Sequence, residues 1–509
     1  MPAPLPRSVN KATKTFGTPM HRRLDVQGLR AVAVLVVVAF HAGLPCPGGF
    51  IGVDVFFVIS GFVITGMLHR EWATAGRIRF GRFYSRRFKR LTPALAVMVT
   101  VTVIVSAVAL SPLGVQQTTT KTAAGTILLV ANFVIARTTG GYFDAPASTN
   151  PLLNTWSLSV EEQFYLAFPA VVAIGWLMAR RRRFLQGTPY ILVGAIAALS
   201  FSLAVITSMG WTPAHAAWLV GYYSPFTRGW EFAVGALLAL VLTKVTISSK
   251  VLGTMFGLLG AGMVAASLWV ITATTPFPGW WALLPVIGTL LVLLAGHQRH
   301  NVVSKQLSAR PMARIGDWSY SIYLWHWPFI VVAGLLWPRE PVVLLAAAVL
   351  SFGPALASYR WVETPLRSIQ TASRTKFAWI VAVTVSPPLF LALVLGFVAQ
   401  NGYWSGTVRE FQASVMPLHQ ASLAGCIQSI PLGELPPGAC EWNDAAGGSL
   451  IYLVGDSTAE QFSESVIRAG QLLARPVVSS TASGCPFLLG PITRGDLHPG
   501  GHPPASPTC

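Results

Sequence analysis

Charge is what this chain has least of. Only 11% of its 509 residues are Asp, Glu, Lys or Arg, where a soluble globular chain carries about a quarter. That deficit argues against a water-soluble globular protein. Acidic residues are scarcer still, 18 against 36 basic ones. An excess of +18 invites a nucleic-acid reading, but its distribution argues otherwise. Residues 1–398 hold 32 Lys/Arg against 10 Asp/Glu, and residues 399–509 hold 4 against 8. A basic apolar part followed by an acidic tail reports membrane topology, and no nucleic-acid partner is expected. There are only five cysteines, and no Cys/His spacing resembles a metal site, so no metal is expected. No small-residue cleavage site follows the first apolar run, which therefore reads as a retained span.

What the chain does have is apolar runs, with 53% hydrophobic residues overall. Runs long enough to cross a bilayer fall near 24–43, 50–68, 92–112, 159–179, 189–209, 228–243, 251–273, 281–296, 316–336, 341–359 and 377–398. These predict an all-α polytopic membrane bundle of about eleven transmembrane helices. With the N-terminus inside, 27 Lys/Arg fall in the cytoplasmic segments. Four remain at the outer side: Lys121, Arg137, Arg228 and Arg339. This imbalance fixes the expected orientation: a multi-pass protein of the cell membrane, N-terminus cytoplasmic, C-terminal segment extracytoplasmic. Residues 122–137 are apolar but short. Counting them as a span would invert everything downstream, so they read as a re-entrant or interfacial helix whose ends the protein must satisfy.

Ionisable groups inside spans are costly and usually functional. Arg30 and His41 both lie in the first run. Eleven residues at about 100° each place them on one helix stripe, about 16 Å apart along the axis. His41 can take a proton from a hydroxyl or act as a nucleophile itself. Asp54, across the short turn, is positioned to orient it or else to cap a helix start. Glu161 and Glu162 precede the fourth span and are expected at the same outer level. Arg228 and Glu231, three apart, read as a salt bridge. The basic stretch 77–90 contains Arg87 and Arg90; topology explains most of its charge, and a phosphate site is the sharper reading. His326 sits mid-span among Tyr320, Tyr323, Trp325 and Trp327, either lining a substrate path or packing.

The expected domains are a cytoplasmic tail (1–23), a membrane domain (24–376), a final transmembrane helix (377–398), an exported linker (399–447) and a partial α/β segment (448–509). The last reads as strand, turn, amphipathic helix, strand. Cys426 with Cys440, and Cys485 with Cys509, are the favoured local pairings, with Cys46 unpaired.

Several stretches coincide with those of a known family. RLDVQGLRAVAVLVVVAFHA, GGFIGVDVFFVISGFVIT, RFYSRRFKRLTPAL, NTWSLSVEEQFY, IGDWSYSIYLWHWP and RWVETPLR, in this order, resemble the signature stretches of the acyltransferase-3 family of integral membrane proteins. The resemblance covers roughly residues 20–370. LVGDSTAEQF in the tail resembles the first block of an SGNH-hydrolase-like domain. The resemblance implies that Arg30 and His41 reproduce a hallmark spacing and that the histidine serves acyl transfer. It implies that Glu161 and Glu162 are site candidates, that Arg87 and Arg90 match an Arg-x-x-Arg element for acyl-CoA, and that Ser457 occupies the nucleophile position. No Asp-x-x-His follows Ser457, since Asp496 and His498 have the wrong spacing.

The expectation is therefore an O-acyltransferase, with no permanently bound cofactor. It takes an acyl group, most simply acetyl, from cytoplasmic acyl-CoA as donor substrate to a hydroxyl of a cell-envelope glycan or glycolipid. The competing expectation is a transporter of an acyl or glycan intermediate without chemistry of its own. A third is a sensory or scaffold protein whose tail binds glycans.

Overall fold

The computed structural model describes residues 22–138, 146–181, 185–213, 216–244, 249–297, 301–338, 340–369, 373–415, 420–424, 426, 438, 440–444 and 447–481. The chain divides into two compact units. The first comprises 1–102, 125–135 and 151–388, the second 103–124, 136–150 and 389–509.

The helices run, in chain order, α1 Leu24–His41, α2 Gly52–Ala75, α3 Phe80–Ala109, α4 Val115–Ile127, α5 Ala131–Thr138, α6 Thr155–Arg181, α7 Thr188–Ser208, α8 Pro225–Val241, α9 Lys250–Val270, α10 Leu283–Ala295, α11 Val302–Leu307, α12 Arg310–Leu336, α13 Pro341–Leu350, α14 Phe352–Ser358, α15 Thr364–Ser368 and α16 Arg374–Gln400. A π-helical turn, Tyr359–Glu363, joins α14 to α15. Among the described residues nine helical stretches are long and apolar enough to cross a membrane, and Trp280–Ala295 is a shorter apolar one. With α8, which is also short, these occupy all eleven expected spans.

The boundaries differ most around the basic stretch. The span limits predict a cytoplasmic loop over 69–91, yet α2 runs on to Ala75 and α3 starts at Phe80, leaving only a tight turn. Gly76 closes α2 in the left-handed conformation at φ 65°. Arg and Lys are good helix formers, and a helix that outruns the hydrocarbon keeps its hydrogen bonds while exposed basic side chains such as Arg82 and Arg86 reach water. The segment 122–137 is two short helices, α4 and α5, with Leu129 at φ 60° between them. The break is satisfied from α6. Gln163 Nε2 donates to the Leu129 carbonyl at 2.8 Å, and the Ala131 N–H donates to Ser159 Oγ at 3.2 Å.

Small residues let the helices of the first unit touch, the usual means of packing where lipid offers no hydrophobic drive. A Cβ on Gly28 would stand 1.9 Å from the Leu307 carbonyl oxygen, and one on Gly316 1.9 Å from that of Gln27. Gly61 and Gly235 do the same between α2 and α8, against Phe232 and Val58. Contacts between α1 and α12 advance together along both helices, from Gln27 with Gly316 to Arg30 with Ser319 to His41 with His326. The two helices therefore run parallel, as the first and ninth spans of an alternating bundle must. Among the described residues, two apolar clusters lie in the unit. One gathers Val26, Leu29, Val55, Val58, Trp230 and Val286, the other Ile64, Leu68, Phe168, Val172, Ala236 and Leu240.

In the second unit, α17 Gly406–Val415 and α18 Gln420–Leu423 follow α16. Then come β1 Glu441–Trp442, β2 Ile451–Gly455, α19 Ser457–Glu460, α20 Ser463–Leu472 and β3 Val477–Thr481. The strand order is β1-β3-β2, with β2 parallel and β1 antiparallel to β3. The β2–helix–β3 crossover is the βαβ unit read from the sequence, preceded by a short strand that was not. Cys426 and Cys440 form a disulfide, and Cys46 is free. Cys485 and Cys509 lie outside the described residues.

Candidate active site

Among the described residues the candidate site side chains of the membrane unit fall in three groups, not at one outer level, apart from the Arg22–Asp317 and Arg23–Asp25 pairs. The first centres on Arg30. Its Nε donates to Ser319 Oγ at 3.2 Å, and its guanidinium lies over the Phe56 ring. Arg30, Phe56, Ser60, Glu161, Tyr320 and Tyr323 are among the residues that line a cavity of about 50 Å³. Beyond Glu161 a smaller cavity of about 20 Å³ is lined by Thr92, Thr126, Thr155, Glu162 and Tyr320 among others.

Glu161 and Glu162 belong to this group, which corrects the expectation that they share one outer level with His41. Ser60 Oγ donates to Glu161 Oε1 at 2.7 Å, and the Tyr165 hydroxyl donates to the same oxygen. Arg87 reaches Glu161 at 3.5 Å and Glu162 at 3.4 Å, its guanidinium stacked on Tyr165. The reason is register. α3 and α6 are antiparallel, with Tyr84 bonded to the Leu166 carbonyl and Arg87 to Glu162. Thr155 therefore begins α6 inside the bundle, and Leu152, Asn154, Thr155 and Trp156 are all buried.

Arg87 is thus held by carboxylates, whereas the buried Nε of Arg90 finds no hydrogen-bond partner among the described residues. Arg90 lies in the field of Arg30, Arg87 and Arg367 and of Glu363, which accepts from Ser321 at 3.3 Å. Ser60, Tyr165, Ser319, Tyr320 and Glu363 join the site only through the fold. Two of them are serines inside otherwise apolar runs, a signal that was there to be read.

The second group is His41 and His326. His41 Nδ1 stands 3.0 Å from His326 Nε2, with the rings nearly parallel. His326 Nδ1 lies 3.2 Å from the Ile322 carbonyl oxygen. Trp327 packs on His41 at 4.4 Å between ring centroids. Tyr323, one helical turn before His326, is fixed by Ser157 Oγ at 2.7 Å and the Asn154 carbonyl at 3.1 Å. It joins the cavity wall to the histidine pair.

The third group takes Asp54 away from His41, correcting the expected partnership. Arg228 Nη1 stands 3.1 Å from Asp54 Oδ1 and 2.9 Å from Glu231 Oε1, all three residues fully buried. The Arg228–Glu231 pair is thus as expected. Asp54 joins it because α2 packs on α8, with Gly61 against Phe232 and Gly235 against Val58. Phe57, Trp156, Tyr222 and Phe277 surround the guanidinium at 5.3–5.6 Å. Burial in this box pushes the Tyr222 hydroxyl up from its ordinary value.

In the tail, Ser457 opens α19 directly after β2 and its N-cap, Asp456. The Thr458 N–H and side chain hold Asp456 below the usual carboxylate range. The three tail histidines, His419, His498 and His502, lie outside the described residues.

Long apolar helices enclosing buried charge and a cavity define a polytopic helical membrane protein with an intramembrane polar site. Its kind is given by comparison. The family described as an acyltransferase domain matches residues 23–360. The chain belongs to the acyltransferase-3 family. Peptidoglycan O-acetyltransferase OatA of Listeria monocytogenes is 32% identical over 359 residues, which cover 67% of this chain and 55% of that protein. O-acetyltransferase OatA of Staphylococcus aureus is 29% identical over 359 residues, 67% of this chain and 57% of that protein. The match therefore spans little more than half the length of these relatives. No solved structure matches the chain.

Proposed function

We propose that the protein is a membrane O-acetyltransferase that carries an acetyl group from cytoplasmic acetyl-CoA to a hydroxyl of an extracytoplasmic cell-envelope glycan. Peptidoglycan is the first acceptor to test, because similar proteins bear that name. One observation carries the reading most. Arg30 lines a buried cavity, His41 shares its helix, and Tyr323 and His326 of the parallel helix α12 join the two. Cation, cavity and base thus form one file through the bundle.

In this reading Arg30 and Arg90 meet the phosphate-bearing donor from the cytoplasmic side, and the thioester arm enters the cavity. Arg87 acts indirectly by fixing Glu161 and Glu162. His41 takes the proton from the attacking acceptor hydroxyl. The hydroxyl oxygen forms the new C–O bond to the acyl carbon and the C–S bond breaks. The sulfur leaves with the electron pair and takes the proton from His41, which returns to its neutral form. The tail, through Ser457, is assigned the handling of the extracytoplasmic acceptor, in keeping with its strand-end position before a helix.

The test is the protein in vesicles, supplied with labelled acetyl-CoA on the face bearing the basic segments and with peptidoglycan fragments on the other. Acetyl ester on the glycan, absent in His41→Ala, is the expected result. Movement of an intact donor or glycan without ester formation would overturn it in favour of transport.

A further inference from the structure

The histidine pair carries more than proximity, because its hydrogen bonds fix where each proton sits. The Ile322 carbonyl oxygen can only accept. His326 Nδ1, 3.2 Å from it, must therefore carry the hydrogen. A neutral His326 then has a bare Nε2. That nitrogen is 3.0 Å from His41 Nδ1, so the contact requires the hydrogen on His41 Nδ1. A neutral His41 is left with its lone pair on Nε2. Among the described residues no protein group hydrogen-bonds that atom, and His41 keeps accessible surface while His326 has none.

We infer that His326 is the positioning residue of the acyl-transfer site: a backbone-anchored imidazole that holds His41 in the Nδ1–H tautomer and directs its Nε2 lone pair to the reacting hydroxyl. The chain of donors runs from His41 Nδ1–H to His326 Nε2, and from His326 Nδ1–H to the Ile322 carbonyl. Orientation of a base by a third group usually falls to a carboxylate. Here a neutral imidazole does it, and the carboxylate nearest in sequence, Asp54, is committed to Arg228. The arrangement suits a site deep in hydrocarbon. It fixes one tautomer without adding a buried charge, which would need its own partner. Trp327 on the His41 ring and Tyr323 beside His326 limit rotation of both.

The inference rests on the proposed acyl transfer for its catalytic meaning but not for its geometry, and the experiment separates the two. The full chain is reconstituted in vesicles as wild type, His326→Gln and His326→Phe. Gln can place an oxygen near the Nε2 position and accept from His41; Phe fills the space with no acceptor. His326→Phe should lower kcat about 10²-fold with little change in the KM for acetyl-CoA, and His326→Gln should recover most of the loss. In wild-type protein with nitrogen-15-labelled histidine, His41 should show a protonated Nδ1 and a bare Nε2. Equal loss in both variants, full activity in His326→Phe, or a bare Nδ1 on His41 would each overturn the inference. If wild-type protein transfers no acetyl group, the proposed function fails and the nitrogen spectrum alone decides the tautomer. If His326→Phe does not fold, His326→Gln and the spectrum still decide it.

Discussion

His41 Nδ1 and His326 Nε2 lie 3.0 Å apart although 285 residues separate them in the chain. The contact exists because α1 and α12 run parallel and touch through glycine, so that a residue near the end of one reaches the same depth as a residue two thirds along the other.

Removing the base should remove the chemistry. His41→Ala is expected to lower acetyl transfer by about 10²–10⁴-fold, the usual worth of a positioned proton acceptor. Membrane insertion and thermal midpoint should stay at wild-type values. Acetyl ester formation at the wild-type rate would remove His41 from the mechanism.

Arg30 and Arg87 should behave differently. Arg30 lines the cavity, and Arg30→Met is expected to raise the KM for acetyl-CoA at least about tenfold, the equivalent of about 1.4 kcal/mol. Arg87 is paired with Glu161 and Glu162. Arg87→Met should lower the thermal midpoint instead, because two half-buried carboxylates lose their cation. Detergent-solubilised melting curves beside the kinetics would tell the two patterns apart.

The Asp54, Arg228 and Glu231 group is a stability element in which each partner depends on the others. Arg228→Met leaves two carboxylates unpaired in a fully buried box and should cost about 3–5 kcal/mol. Adding Asp54→Asn and Glu231→Gln to that variant should recover part of the loss. No recovery in the triple variant would show that the stability comes from the guanidinium's contacts with Phe57, Trp156, Tyr222 and Phe277.

Close approach at Gly316 supports the histidine contact. A methyl group there would collide with the Gln27 carbonyl. Gly316→Ala should therefore destabilise the bundle by about 1–3 kcal/mol. It should also lower acetyl transfer by more than its effect on the folded fraction explains. An unchanged specific activity per folded molecule would mean that α1 and α12 need not be this close.

Cys46 tests orientation. It lies in the turn over 42–48, and partial burial raises its thiol above the ordinary value. Its thiolate fraction at neutral pH is then below that of a free cysteine. In a chain whose other cysteines are serine, an impermeant maleimide should label intact cells slowly at pH 7 and faster as pH rises. Labelling only after permeabilisation would reverse the assigned topology.

The sequence by itself determined the class of fold, the apolar stretches that become helices and the residues worth watching. Each follows from a local property: an apolar run long enough for the bilayer, a basic bias between loops, or a charge where hydrocarbon makes charge expensive. The stripe joining Arg30 and His41 was legible for the same reason, since helix periodicity fixes which residues of one helix share a face. The structure alone decided the partners. By sequence Asp54 is either a partner of His41 or a helix-start carboxylate; it does sit in the first turn of α2, and it faces Arg228 because α2 packs on α8. Glu161 and Glu162 were placed at the outer surface, but α6 begins inside the bundle and sets them against Arg87. His326 came from a distant helix to occupy the place left for Asp54. Helix register, crossing and depth arise from side chains of several segments packing at once, and no single stretch of sequence contains them.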